Sequence, residues 1–148
     1  MRISFDLDST LIPHANEFPV EKMNFLAKLF KVEPLREGTK ELFDYLETQG
    51  HSINIYTTSL RSILKIRFQF YTYGIKIDRV INQYENQKHL NRLRISSSKY
   101  PPAFNFDVHI DDLFGVAKEG ERFNFRTIII EPNDKNWVSC IKNSLIDN

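Results

Sequence analysis

Residues 1–10 read Met1-Arg2-Ile3-Ser4-Phe5-Asp6-Leu7-Asp8-Ser9-Thr10, and the fold turns on how this stretch is read. Ile3, Phe5 and Leu7 make an apolar run that ends in two carboxylates one residue apart, with the Thr10 hydroxyl two residues beyond. Apolar residues bracketing the acids predict a strand, Arg2 to Phe5, buried on both faces, with Asp6 and Asp8 at its tip. Two acids crowded there repel each other, and burying an uncompensated carboxylate is costly. A divalent cation is the usual compensation. The downstream sequence must therefore supply the partners of a charged site.

Working outward, Leu11 to Val20 contains Pro13, Asn16 and Pro19 and predicts a loop or hairpin over the strand end. Between Glu21 and Lys31, Met23, Leu26, Leu29 and Phe30 fall on one helical stripe. Thr39 is expected to N-cap a second helix with Leu42, Phe43 and Leu46 inward, stopped by Gly50. His51 to Tyr56 predicts the next strand, with Ile53 and Ile55 inward, ending in Thr57, Thr58 and Ser59. Ser59 is expected to start a third helix that runs to about Tyr73 and closes at Gly74. Arg79 to Asn82 predicts a third strand, and Tyr84 to Leu93 a polar helix.

Lys99 falls in a loop or helix start between Ser96–Ser98 and Pro101-Pro102. Phe106 to Ile110 predicts a fourth strand ending in Asp111 and Asp112, with Gly115 and Gly120 punctuating the segment beyond it. Thr127 to Ile130 predicts a fifth strand, cut off by Pro132, and Asn136 to Ile146 a last helix with Trp137, Val138, Ile141 and Leu145 inward. Strands alternating with helices predict an α/β fold: a Rossmann-like, doubly wound sheet of about five parallel strands with helices on both faces. Without repeats, low-complexity tracts or linkers, residues 1–148 are expected to form a single domain.

Composition sets the outer bounds. The apolar fraction of 41% and charged fraction of 26% are ordinary for a globular protein. A net charge of +1 supplies no global attraction to nucleic acid or membrane, so neither is expected as a partner. Cys140 alone cannot make an internal disulfide and fits a reducing compartment. With no signal-peptide apolar region and no transmembrane-length apolar run, a cytoplasmic location is expected.

In an open parallel sheet the carboxyl ends of all strands share one edge, where ligands bind. Three predicted strand ends carry unusual polar residues: Asp6 with Asp8, Thr57 with Thr58, and Asp111 with Asp112. Lys99 lies just ahead of the fourth strand. This pattern resembles the haloacid dehalogenase (HAD) superfamily. Its phosphatases carry D-x-D-x-T on the first strand, here Asp6-Leu7-Asp8-Ser9-Thr10. Ile53-Asn54-Ile55-Tyr56-Thr57 is similar to the second motif, Lys99 to the third, and His109-Ile110-Asp111-Asp112 to the fourth.

The resemblance implies a phosphatase-like member with minimal or no cap, because the segments 11–36 and 74–99 leave room for little more than a helix each. It implies that Asp6 is the nucleophile, forming an aspartyl-phosphate, with Asp8 as general acid and base. Mg2+ would be held by Asp6, the Asp8 backbone carbonyl and the acidic pair, with Asp112 the direct ligand and Asp111 close or water-linked. Thr57 would bind a phosphoryl oxygen, Thr58 is a second candidate, and Lys99 would offset charge and orient Asp6. Members that cleave carbon–halogen or carbon–phosphorus bonds generally lack the second acid, so Asp8 points to phosphate ester hydrolysis.

The implied partner is a phosphorylated small molecule or macromolecule. Other polar residues have plainer readings. Lys88 is the rival for the third motif. Thr10 reads as structural, Thr58 and Ser59 also as helix caps, His109 as a packed core histidine, and Arg61 and Arg67 as a solvated face. His14 could graze substrate, and Arg61 could assist a polyanionic one. Phe68, Phe70, Tyr71 and Tyr73 read as core or as a homodimer contact. Two rival functions are a HAD-like phosphate- and metal-binding protein without turnover, and a receiver-type signalling domain. The second fails on motif order, since there the acidic pair follows the first strand.

Overall fold

The structure is a computed structural model and describes residues 1–146. Five strands pair in parallel in the order β3-β2-β1-β4-β5: β1 Arg2–Phe5, β2 Ser52–Tyr56, β3 Arg79–Ile81, β4 Val108–Asp111 and β5 Arg126–Ile129. Six helices surround them: α1 Phe25–Leu29, α2 Thr39–Thr48, α3 Ile63–Thr72, α4 Gln83–Leu93, α5 Phe114–Phe123 and α6 Trp137–Ile146. With β1 central, the order is the doubly wound 3-2-1-4-5. Receiver-type domains use 2-1-3-4-5, so the topology removes that rival. The strand order reverses between β1 and β4, and the expected switch-point crevice lies at their carboxyl ends.

The register explains why β1 is buried on both sides. Ile3 and Phe5 sit beside Ile53 and Ile55 on β2, and beside Val108 and Ile110 on β4, making an apolar row on one face. Phe5 packs at a tilt on Phe43 of α2, 4.7 Å between centroids, and Phe43 stacks on Phe70 of α3 at 6.1 Å. Each such side chain contributes about 1.5–3 kcal/mol on burial. The alternate positions form a second row, Ser4 beside Asn54 and His109, all buried. Polar groups in a sheet centre must find partners. Asn54 Nδ2 donates to the Ile3 carbonyl at 3.0 Å, and Ser4 Oγ lies 2.9 Å from His109 Nδ1. A smaller core of Tyr56, Ile81, Phe104 and Phe106 covers the periphery of that second face.

Several helix boundaries differ from expectation. Thr39 is not the cap of α2. The cap is Gly38 at φ +88°, while the buried Thr39 hydroxyl turns back and donates to the Arg36 carbonyl at 2.6 Å. Gly38 is needed there, because a Cβ would meet Val138 at 2.8 Å. α3 starts at Ile63 with Ser62 as cap, three residues later than the Ser59 start, which leaves 59–61 as a loop. Gly115 and Gly120 lie inside α5 rather than punctuating it. Gly120 is there for contact, since a Cβ would stand 2.7 Å from the Phe125 carbonyl.

The stripe Met23, Leu26, Leu29, Phe30 does not form a buried helix face. α1 is only five residues long and buries Ala27, and Leu26, Leu29 and Phe30 are exposed. The segment 11–20 is a loop, not a hairpin. It doubles back through Ser9 at φ +58°, with the Leu11 and Ile12 amides both donating to the Leu7 carbonyl. Among the described residues, only α1 and loops follow β1 before α2, so the cap is minimal. No helix of the described residues is long and apolar enough to cross a membrane.

Candidate active site

Asp6 continues the line of Ser4 one step beyond β1, and Asp111 that of His109 at the end of β4. Even spacing puts all four on the polar face, where hydrogen bonds and ion pairs to Lys99 join them. Ser4 contacts His109 Nδ1 at 2.9 Å, His109 Nε2 lies 3.0 Å from Asp111 Oδ2, and Lys99 Nζ reaches Asp111 Oδ2 at 2.5 Å and Asp6 Oδ1 at 2.8 Å. A carboxylate only accepts, so Nε2 carries the imidazole proton and Nδ1 accepts the Ser4 hydroxyl. Burial, reinforced by the Lys99 charge, lowers the His109 pKa and keeps the ring neutral.

Lys99 enters from the loop before a 3-10 turn, Pro101–Phe104, and is almost wholly buried. Burial pushes its ammonium down, but Asp6 and Asp111 outweigh this and hold the pKa above its ordinary value. Burial likewise pushes Asp111 up, and the His109 and Lys99 donors overturn it, so the carboxyl lies well below the usual range. Asp111 Oδ1 is also occupied, accepting the Leu113 amide at 2.9 Å. Lys88 is exposed on α4 and stands outside this network.

Asp112 is less committed. One oxygen accepts the Thr10 hydroxyl at 3.0 Å, so Thr10 ties the loop after β1 to the acid after β4. Burial pushes the Asp112 carboxyl up, and the nearby Asp111 and Asp6 charges add to it against the Thr10 bond. Carboxylate oxygens of Asp6, Asp111 and Asp112 lie within 4.8 Å of one another. Lys99 alone faces three acids there, and Asp6 Oδ1, although close to Lys99, accepts no directed hydrogen bond. Three carboxylates against one cation leave an excess of hard oxygen donors, which fits a divalent cation.

Thr57 is buried at the end of β2, its amide donating to the Ile81 carbonyl and its Oγ1 accepting the Ser59 amide at 3.1 Å. Thr58 is exposed and lines a surface groove with Asn86 and Gln87 of α4. Ser59 caps no helix; its Oγ accepts Arg61 Nη1 at 2.7 Å. His14 is exposed, with its amide bound to Glu17.

Arg61 departs most from the sequence reading. It does not lie on a solvated helix face but in the 59–61 loop, its side chain 19% exposed, bridging two acids. Nε and Nη2 grip Glu33 at 2.8 and 2.7 Å, and Nη1 meets the Asp8 carboxylate at 2.8 Å. The Glu33 hydrogen bonds and charges hold the Arg61 pKa above its ordinary value. Glu33 is fixed in turn by Gln69, which donates to its carbonyl at 2.9 Å. Nothing periodic surrounds Glu33 in sequence, so only the fold reveals it.

A second unforeseen residue is Arg36, 2% exposed. Its guanidinium donates to the carbonyls of Glu131, Pro132 and Asp134 and of Thr10, between the rings of Phe18 and Trp137 at 4.5 and 4.8 Å. It clasps the loop after β1 to the loop after β5. The signal for the Ser4–His109 row was present in sequence, since both are polar residues at alternate positions of otherwise apolar strands.

No family model and no curated protein matches the chain. Among solved structures it is similar to a predicted HAD-like family hydrolase from Porphyromonas gingivalis. The TM-score is 0.54 at 15% identity, covering 99% of this chain and 98% of that one. The likeness runs the length of both chains, and at that identity it concerns architecture: the chain has a HAD-like, Rossmann-like α/β fold.

Proposed function

We propose that the protein is a HAD-type hydrolase of phosphate esters, working through an aspartyl-phosphate on Asp6. One observation carries the reading: Lys99 Nζ sits 2.8 Å from Asp6 and 2.5 Å from Asp111 at the switch point, with Asp112 beside them. Phosphoryl transfer needs positioning and charge neutralisation above all, and this cluster supplies both.

Asp6 attacks phosphorus in line as the bond to the ester oxygen breaks. Asp8, protonated for this step, gives its proton to the departing oxygen. Water then attacks the aspartyl-phosphate; Asp8 takes the water's proton, phosphate leaves, and Asp6 is regenerated. Lys99 orients Asp6 and offsets charge, and the Thr57 hydroxyl donates to a phosphoryl oxygen, with Thr58 at the outer side. Asp6, the Asp8 backbone carbonyl and Asp112, with Asp111 alongside, would hold Mg2+, which when bound supplies Lewis-acid neutralisation of the phosphoryl charge. Among the described residues only α1 and loops lie between β1 and α2, and so small a cap suits a bulky or macromolecular ester.

One contact favours a second reading, a protein that binds phosphate and metal without turnover. Arg61 engages the Asp8 carboxylate, the group that must carry the proton. Release of Mg2+-dependent phosphate from a panel of esters, with Asp6→Asn alongside, separates the two. Turnover that vanishes in Asp6→Asn supports the hydrolase, and turnover indifferent to Asp6→Asn refutes the mechanism. Mg2+ raising the melting temperature while no ester is cleaved supports the binding protein.

A further inference from the structure

α3 is apolar on both sides. Ile66 and Phe70 face the main core, while Leu64, Phe68 and Tyr71, spaced i, i+4 and i+7, form a stripe facing out. A helix with an apolar stripe on its outer as well as its inner side, here flanked by Lys65 and Arg67, is ordinarily covered on both. α1 lies against it through Asn24, whose side chain donates to the Thr72 carbonyl, and through Phe30, whose ring meets Phe68 edge-on at 5.1 Å. The outward stripes of the two helices therefore join. Leu64 is 78% exposed, Phe25 76% and Tyr71 70%, with Leu29, Phe30 and Leu60 also largely exposed. Exposed large apolar residues so concentrated mark a contact surface.

Within the two segments that carry them the charges are all basic, with Glu21, Glu33 and Asp78 at their borders. Residues 22–32 contain Lys22, Lys28 and Lys31 and no acid, and residues 60–77 contain Arg61, Lys65, Arg67 and Lys76 and no acid. The lysines are exposed. Arg61 is held by Asp8 and Glu33, and Arg67 by the carbonyls of Ile77 and Asp78; Lys65 lies 3.7 Å from Glu33. Lys22, Lys28 and Lys31 make no ion pair among the described residues. In the chain as a whole 20 basic residues meet 19 acidic ones, which hides this local excess.

We propose that the α1–α3 face docks on an anionic phospholipid surface. Complementary charge requires an acidic partner, and a second copy meeting this face across a two-fold axis would set lysine against lysine. Protein interfaces favour arginine and deplete lysine, whereas here both arginines are bound within the chain and the unpaired cations are lysines. Phenylalanine and leucine tips flanked by lysines are what an interfacial bilayer contact uses. Arg61, in the loop that leads into α3, reaches Asp8, so docking through α3 would bring the site near the bilayer.

The test is co-sedimentation of the full chain with phosphatidylcholine vesicles, either pure or containing about one-third phosphatidylglycerol to give a negative surface. The chain should pellet with the anionic vesicles only, and less as salt rises. Leu64→Glu and Phe25→Glu should abolish pelleting, and Lys28→Gln should weaken it about fivefold. All three positions are exposed, so thermal unfolding of these variants should match the wild type, and any hydrolysis of p-nitrophenyl phosphate in solution should be unchanged. No pelleting with anionic vesicles at low salt overturns the proposal, as does equal pelleting with pure phosphatidylcholine or pelleting that survives both glutamates. A dimer by light scattering that Leu64→Glu dissolves, without vesicle binding, assigns the face to a second copy; retention of an oligonucleotide without vesicle binding assigns it to nucleic acid. Vesicle binding needs no turnover, so this result and the phosphatase assay fail independently.

Discussion

The two faces of the central strands are built from alternate residues of the same segments, yet they answer to different physics. Ile3, Phe5, Ile53, Ile55, Val108 and Ile110 face one core and need only volume and packing. Ser4, Asp6, His109 and Asp111 face the other way and need every donor and acceptor matched. On the apolar face a lost methylene costs contacts and leaves a void. On the polar face a lost partner strands a buried charge, and the cost depends on what remains behind. The difference explains how one sheet can be both scaffold and chemistry.

The sharpest break should come from Lys99→Met, which leaves Asp6 and Asp111 buried without their cation. Urea unfolding should record a loss of about 3–5 kcal/mol, and ester turnover per folded molecule should fall to background. On the other face, Ile55→Ala should cost about 2–4 kcal/mol in the same measurement while turnover per folded molecule stays near wild type. If Ile55→Ala abolished turnover in the folded fraction, the two faces would not be separable. Ser4→Ala removes the donor to His109 at the far end of the polar row and should cost about 1–2 kcal/mol. Its effect on turnover should be slight, because Lys99 still holds Asp111.

The smallest effect belongs to Glu33, whose carboxyl lies below its ordinary value because the Arg61 hydrogen bonds outweigh partial burial. A lowered folded pKa means that its stabilisation is present above the unfolded value and lost as pH falls through the folded one. Glu33→Gln should therefore flatten the acid limb of the stability–pH curve below about pH 4. For a partly exposed ion pair the amplitude is at most about 1 kcal/mol.

Much of this arrangement is legible in the sequence, because strand ends and period-two alternation are short-range signals. Asp6, Asp8, Thr57 and Asp111 follow from apolar runs that stop abruptly. Lys99 follows from Pro101 and the short span to Asp111. The features hidden from a sequence reading depend on contacts between distant segments. Ser59 satisfies every local rule for a helix cap, but its hydroxyl is taken by Arg61, and the helix waits for Ser62. Gly120 reads as a breaker and is instead a place where the Phe125 backbone comes close. Glu33 and Arg36 carry no periodic signature, since their partners lie 28 and about a hundred residues away.

The alternation of Ile3, Ser4, Phe5 and Asp6 also limits how such a chain can diversify. A one-residue insertion or deletion within β1 would exchange the faces, pushing carboxylates into the apolar core and isoleucine into the site. Natural variation in length should therefore collect in 11–38, 58–62 and 83–105, segments that follow β1, β2 and β3. New specificities would then arise by rewriting loops over an unaltered reading frame of strands.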